Sequence, residues 1–133
     1  MTATGPGKLA GRRILVVEDE YFIADDLSRG LRREGARVVG PAADLAGALK
    51  LGRGEQLDGA VLDVNLGGEM SYPVADLLAH RGVPYLFTTG YDDRTLIGAY
   101  SDVARIEKPF DVEAVMTALA HLLRESGMRE EPA

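Results

Sequence analysis

The sequence contains no cysteine, no tryptophan and only two histidines, His80 and His121. Without thiols there can be no disulfide, no thiolate nucleophile and no Cys-built zinc or iron–sulfur site. The two histidines lie far apart, each within an expected helix, so a zinc site is disfavoured as well. Also missing is any run of about 18 apolar residues, the length a membrane span requires. The N-terminus, Met1-Thr2-Ala3-Thr4-Gly5-Pro6-Gly7, lacks the basic and apolar regions of a secretory signal. These absences predict a cytoplasmic location with no membrane contact. Positive charge is in deficit, with 15 Lys and Arg against 21 Asp and Glu and a net charge of -6. That balance argues against direct nucleic-acid binding and suits a protein that gathers carboxylates around a cation. What is present, 133 residues of which 46% are hydrophobic, fits one domain with a full core.

The chain reads as alternating short apolar strands and amphipathic helices. Residues 1–11, rich in Gly, Thr and Pro, are expected to form a disordered lead-in, residues 12–125 the folded domain and residues 126–133 a polar tail. Ile14 to Val17 forms the first strand. A helix follows over Tyr21 to Glu34, with Ile23, Leu27 and Leu31 on one face, broadened by Phe22 and Ala24. Arg37 to Gly40 is a second strand closed by Pro41, and Asp44 can cap a helix over 44–51 that Gly52 and Gly54 end. Ala60-Val61-Leu62 is uniformly apolar, as a strand buried on both faces should be, and stops at Asp63. Gly67 and Gly68 permit a tight turn, and Ser71 can cap a third helix ending near Gly82. Pro84 to Thr89 is the fourth strand, 93–99 a short helix, 103–106 an edge strand, and Asp111 can cap a last helix that buries Val115, Met116, Leu119, Leu122 and Leu123. Five such alternations imply a doubly wound α/β fold, a mostly parallel sheet with helices on both faces and ligands at the C-terminal rim of the strands.

Asp19, Asp63, Thr89 and Lys108 each directly follow a strand and would meet on that rim. Taken singly, each has an ordinary explanation: acidic residues favour a helix start, Thr-Thr-Gly ends a strand, and a lysine beside Pro109 is a surface residue. Their arrival in order at successive strand ends favours a shared site. Glu18, Asp19 and Asp63 are like charges in a partly closed place, a difficulty that a divalent cation removes. Oxygen-only ligands match a hard ion, Mg²⁺. A carboxylate can act as a nucleophile and form an aspartyl phosphate, with the metal, the Lys108 ammonium and the Thr89 hydroxyl neutralising the phosphoryl oxygens. Asn65, two residues beyond Asp63, could offer its backbone carbonyl to the metal.

With these residues in place, the chain resembles a response-regulator receiver domain of two-component signalling, of the stand-alone kind. The resemblance rests on Glu18-Asp19, Asp63, Thr89-Gly90 and Lys108-Pro109-Phe110 and covers about 12–124. It implies a flavodoxin-like five-stranded sheet of order 2-1-3-4-5. It makes Asp63 the phosphoacceptor, Asp19 a direct Mg²⁺ ligand, Glu18 one that reaches the ion through a water or through another ligand, and the Asn65 carbonyl the third protein ligand. Thr89 and Lys108 would contact the phosphoryl group, and the peptide bond before Pro109 would be cis. Phosphate would come from a histidine kinase or histidine phosphotransfer protein and the signal would pass to a downstream regulatory protein, with a weak homodimer as a further possibility. The protein would be a signalling switch rather than an enzyme acting on external substrates. Two features depart from the family pattern. Arg105 stands three residues before the lysine, where most receivers carry a switching Tyr or Phe, so Arg105, Thr89 and Tyr91 are the candidate switch or partner surface. The interval from Thr89 to Lys108 is short, which predicts an abbreviated or irregular fourth helix. The competing readings are a phosphorylation-independent module with a vestigial pocket and a phosphatase- or flavodoxin-like enzyme on the same layers.

Overall fold

The computed structural model describes residues 7–90, 100 and 102–130. In chain order the elements are β1 (Arg13–Val17), α1 (Tyr21–Arg33), β2 (Arg37–Ala42), α2 (Leu45–Gly54), β3 (Gly59–Asp63), β4 (Asn65–Leu66), β5 (Glu69–Met70), α3 (Tyr72–His80), β6 (Tyr85–Thr89), β7 (Arg105–Glu107) and α4 (Val112–Glu130). Five strands form one sheet in the order β2-β1-β3-β6-β7, every pair parallel. This is the doubly wound order expected. β4 and β5 make a separate antiparallel hairpin with Asn65 opposite Met70.

Side-chain alternation divides the sheet's residues between two cores. Ile14, Val16, Val61 and Leu86 face α1 and α4, where they meet Leu27, Leu31, Val115, Met116 and Leu119. Leu15, Val17, Leu62 and Phe87 face α2 and α3 and meet Ala48, Val74, Ala75 and Leu78. β3 is buried at all five positions, as its unbroken apolar run demands of a central strand. β7 is an edge strand with Arg105 and Glu107 exposed.

Several local expectations need correction. Within the expected lead-in, Leu9 is buried in the core under α1 and α4, and its N–H donates to the Glu34 carbonyl. An isolated leucine in a Gly-rich segment gives no periodicity by which to place it. Phe22 is 81% exposed, not part of the buried face. At about 100° per residue it lies some 140° around the helix from Leu27, which is buried. Pro41 does not close β2, which continues through a cis Gly40–Pro41 bond to Ala42, with an irregular register between Leu15 and Val17. An edge strand tolerates proline because the missing N–H need not enter the ladder. Gly40 has φ 95°, and a Cβ there would stand 2.8 Å from the Ala42 nitrogen, so only glycine fits this bend.

The helix caps also sort themselves out. Asp44 caps α2 as expected, its carboxylate accepting from the Gly47 N–H at 2.8 Å, but the helix runs through Gly52 to Gly54. Asp111 accepts from the Glu113 N–H at 3.1 Å at the start of α4. Ser71 does not cap α3 with its side chain: its φ and ψ of -90° and 10° are not those of an extended cap residue, and its hydroxyl is buried without a hydrogen-bond partner among the described residues. α4 extends to Glu130, past the position where Gly127 was expected to end it. The helix expected over 93–99 lies outside the described residues.

Candidate functional site

Three strand ends and one loop build the site. β1 delivers Glu18 and Asp19, β3 ends on Asp63, β6 ends on Thr89, and the segment after β7 brings Lys108. Because β1, β3 and β6 are parallel neighbours in register (Val17 opposite Leu62, Asp63 opposite Thr88), their polar ends emerge side by side. Lys108 is tied to the neighbouring strand by its own N–H, which donates to the Thr89 carbonyl at 2.7 Å. The Lys108–Pro109 bond is cis, as the resemblance implies.

Carboxylate oxygens of Glu18, Asp19 and Asp63 lie within 4.8 Å of one another. Glu18 and Asp63 are buried, at 2% and 3% exposure, while Asp19 is exposed at the mouth. The Lys108 ammonium reaches Asp63 Oδ2 at 3.0 Å, Glu18 Oε1 at 3.0 Å and Glu20 Oε2 at 3.1 Å. Glu18 Oε2 also accepts from the Glu20 N–H at 3.1 Å, and Asp63 Oδ1 from the Asn65 N–H at 3.1 Å. Asn65 Oδ1 accepts from the Gly68 N–H at 2.6 Å, and Gly67 and Gly68 have φ of 64° and 103°, the left-handed backbone that glycine allows, in the β4–β5 turn that lines the site with Asp63. The resulting cleft, about 220 Å³, is lined by Asp19, Glu20, Asp63, Asn65, Gly67, Gly68, Gly90 and Lys108.

The electrostatics follow from burial. Loss of solvent, and then the nearby Asp63 charge, push the Glu18 carboxyl from its usual 4.5 up to about 7. Burial likewise raises Asp63 above the ordinary aspartate value, against the opposing pull of Lys108. For Lys108 burial acts to lower the pKa, but hydrogen bonds to Glu18 and Asp63 and their charge outweigh it, and the ammonium is held above its usual value. One cation is therefore insufficient for the carboxylates around it. Glu18 Oε1, buried and 3.0 Å from the ammonium, still lacks an aligned hydrogen bond. Clustered hard oxygen donors with a residual negative excess fit a hard divalent cation.

The structure thus brings together Glu18, Asp19, Asp63, Asn65 and Lys108. Thr89 is fully buried, and its hydroxyl has no hydrogen-bond partner among the described residues and does not line the cleft. Arg105 is exposed on β7, opposite Phe87 in register, and pairs with neither Glu107 nor Asp102. Tyr91 lies outside the described residues. Sequence reasoning overlooked Glu20 as a partner of Lys108. The missed signal was its place at the first turn after β1, where glutamate is a poor N-cap and α1 accordingly shows no side-chain cap. It also overlooked an aromatic group beneath the rim: Tyr100 stacks on Tyr72 with centroids 4.3 Å apart, Phe87 meets both rings edge-on, and the Tyr100 hydroxyl donates to Asp76 at 2.7 Å.

A doubly wound sheet with carboxylates at the ends of its first and third strands in chain order, and a lysine after its last, defines an α/β protein with an acidic, cation-compatible site at the strand C-termini. Comparison with known proteins narrows the class to a family. Residues 14–120 match the family described as the response regulator receiver domain, and the chain belongs to that family of signalling domains. Among curated proteins it is 30% identical over 112 residues to the transcriptional regulatory protein PdtaR of Mycobacterium tuberculosis, covering 81% of this chain and 55% of that protein. It is 34% identical over 124 residues to the phyllosphere-induced regulator PhyR of Methylorubrum extorquens, covering 89% and 46%. The chain spans about half the length of these curated relatives. Among solved structures, SdrG from Sphingomonas melonis Fr1 shares 42% identity at a TM-score of 0.75, covering 88% of this chain and 98% of that one. PhyR from Brucella abortus shares 25% at 0.81, covering 92% and 51%. Among the described residues no helix is long and apolar enough to cross a membrane.

Proposed function

We propose that Asp63 accepts a phosphoryl group from a phosphohistidine donor, with Mg²⁺ held by Glu18, Asp19, Asp63 and the Asn65 carbonyl. The observation that carries this reading is the Lys108 ammonium, 3.0 Å from Asp63 Oδ2 beside the three clustered carboxylates. An Asp63 oxygen attacks phosphorus, an O–P bond forms and the donor's P–N bond breaks. The imidazole keeps the electron pair and takes a proton from solvent. The metal would neutralise phosphoryl and carboxylate charge. Lys108 exchanges part of its bonding from Asp63 to a phosphoryl oxygen, and the Thr89 hydroxyl, a buried donor with no partner among the described residues, is available to another. Hydrolysis removes the modification: a water oxygen attacks phosphorus, the bond from Asp63 oxygen to phosphorus breaks, inorganic phosphate leaves with a proton released to solvent, and Asp63 returns to a carboxylate.

The donor is a histidine kinase or histidine phosphotransfer protein, and the output passes to a downstream regulatory protein in the cytoplasm through surfaces biased by the new charge. Exposed Arg105, with Tyr91, remains the candidate surface for that transfer. The complete carboxylate–lysine set supports a working phosphoacceptor over a vestigial pocket. Intact-mass measurement after incubation with phosphoramidate and Mg²⁺ tests the chemistry. Wild type is expected to gain one phosphoryl mass and Asp63→Asn none, with EDTA abolishing the gain. Equal labelling of Asp63→Asn would overturn the assignment.

A further inference from the structure

We infer that Glu20 is a positioning residue that sets how readily Asp63 is phosphorylated, by holding the Lys108 ammonium away from the incoming phosphoryl group. This deepens the phosphoacceptor reading and rests on it.

Glu20 opens α1, where Ser, Asp or Asn would turn a side-chain oxygen onto the helix's free N–H groups. Its side chain makes no such bond. The carboxylate instead crosses the mouth of the site to Lys108 Nζ at 3.1 Å, while its own N–H is held by Glu18 Oε2. Lys108 therefore has three carboxylate partners, two buried and one, Glu20, largely exposed on the entry side.

Glu20 lies outside the cluster of Glu18, Asp19 and Asp63, whose oxygens gather closely enough to share an ion. It does line the cleft that the donor must enter. Two effects act in the same direction. Its ion pair with Lys108 must be given up when the ammonium turns to a phosphoryl oxygen. Its negative charge at the entrance also repels an anionic donor. An exposed pair of this kind sets a small barrier, so Glu20 acts as a brake of modest size, exchangeable by solvent and weakened by salt.

The experiment compares wild type, Glu20→Gln and Glu20→Asp at saturating Mg²⁺. Beryllofluoride affinity is measured by NMR titration, phosphoramidate labelling rate by intact mass, and Mg²⁺ affinity separately for each variant. Expected for E20Q is roughly two- to fivefold tighter beryllofluoride binding and a similar rise in labelling rate, both shrinking in high salt. E20D, which keeps the charge but is one methylene too short to hold the ammonium, should fall between E20Q and wild type. Wild type that binds beryllofluoride and becomes labelled, with E20Q unchanged or weaker, overturns this inference alone. A loss of Mg²⁺ affinity of more than tenfold in E20Q also overturns it, because Glu20 would then be a metal ligand. A wild type that neither binds beryllofluoride nor is labelled overturns the phosphoacceptor reading, and this inference with it.

Discussion

Removing the buried charge of Glu18 should make the metal-free protein more stable, and the size of the gain follows from the site. Burial and the neighbouring Asp63 raise the Glu18 carboxyl from 4.5 to about 7. Each tenfold change in proton affinity corresponds to about 1.4 kcal/mol, so ionised Glu18 opposes folding by roughly 3 kcal/mol once the pH is well above 7. The native state binds the proton more tightly than the unfolded chain. The group's favourable contribution is therefore complete below about pH 4.5 and is lost as pH rises through about 7. Glu18→Gln keeps the shape without that charge, but it gives up the charge-assisted bonds to Lys108 and the Glu20 N–H. A net gain of about 1–3 kcal/mol at pH 8 in EDTA is expected, disappearing at pH 4.5. Saturating Mg²⁺ should stabilise wild type and narrow or reverse the difference, since E18Q has lost a carboxylate from the ion's site. Urea unfolding at both pH values, with EDTA or Mg²⁺, measures all of this. If E18Q were no more stable than wild type at pH 8 in EDTA, or its advantage were the same at both pH values, the reasoning would fail.

Lys108→Ala removes the ammonium shared by Glu18, Glu20 and Asp63; in EDTA at pH 8 a loss of about 3–5 kcal/mol is expected for stranding buried carboxylates, smaller near pH 5 where Glu18 carries a proton, and urea melts at the two pH values check it. Leu9→Ala should cost about 2–4 kcal/mol, because Leu9 is 1% exposed; calorimetric unfolding would show a lower Tm, and an unchanged Tm would mean the segment before β1 is not docked in solution. Asp44→Ala deletes the cap of α2 and should cost about 1 kcal/mol by chemical denaturation, with phosphoramidate labelling unchanged because Asp44 lies outside the site.

The sheet was legible because its signal is local and repeated. Uniformly apolar Ala60-Val61-Leu62, bounded by Gly59 and Asp63, reads as a strand covered on both faces, and strands alternating with amphipathic helices leave few ways to connect in parallel. Glu18, Asp19, Asp63 and Lys108 could be named as a site from the same logic, since parallel strands place their C-terminal ends on one rim. Other features depended on contacts between segments far apart in sequence. Nothing near Leu9 reveals that it fills a gap under α1 and α4. Phe22 is different: it is turned outward by helix phase, a local signal that its apolar character masks. Pro41 read as a terminator, yet β2 occupies an edge and can continue through it.

By itself, then, the order of apolar runs and polar strand ends determined the layers and the acidic character of the rim, because these follow from burial and chain connectivity, while the order of the strands in the sheet came with the family resemblance. Only the tertiary structure decided how one ammonium is divided among Glu18, Glu20 and Asp63, and how far Glu18 is pushed toward neutrality. Hydrogen-bond lengths and desolvation arise from three-dimensional proximity across some 90 residues of chain between Glu18 and Lys108, a separation over which sequence spacing carries no metric.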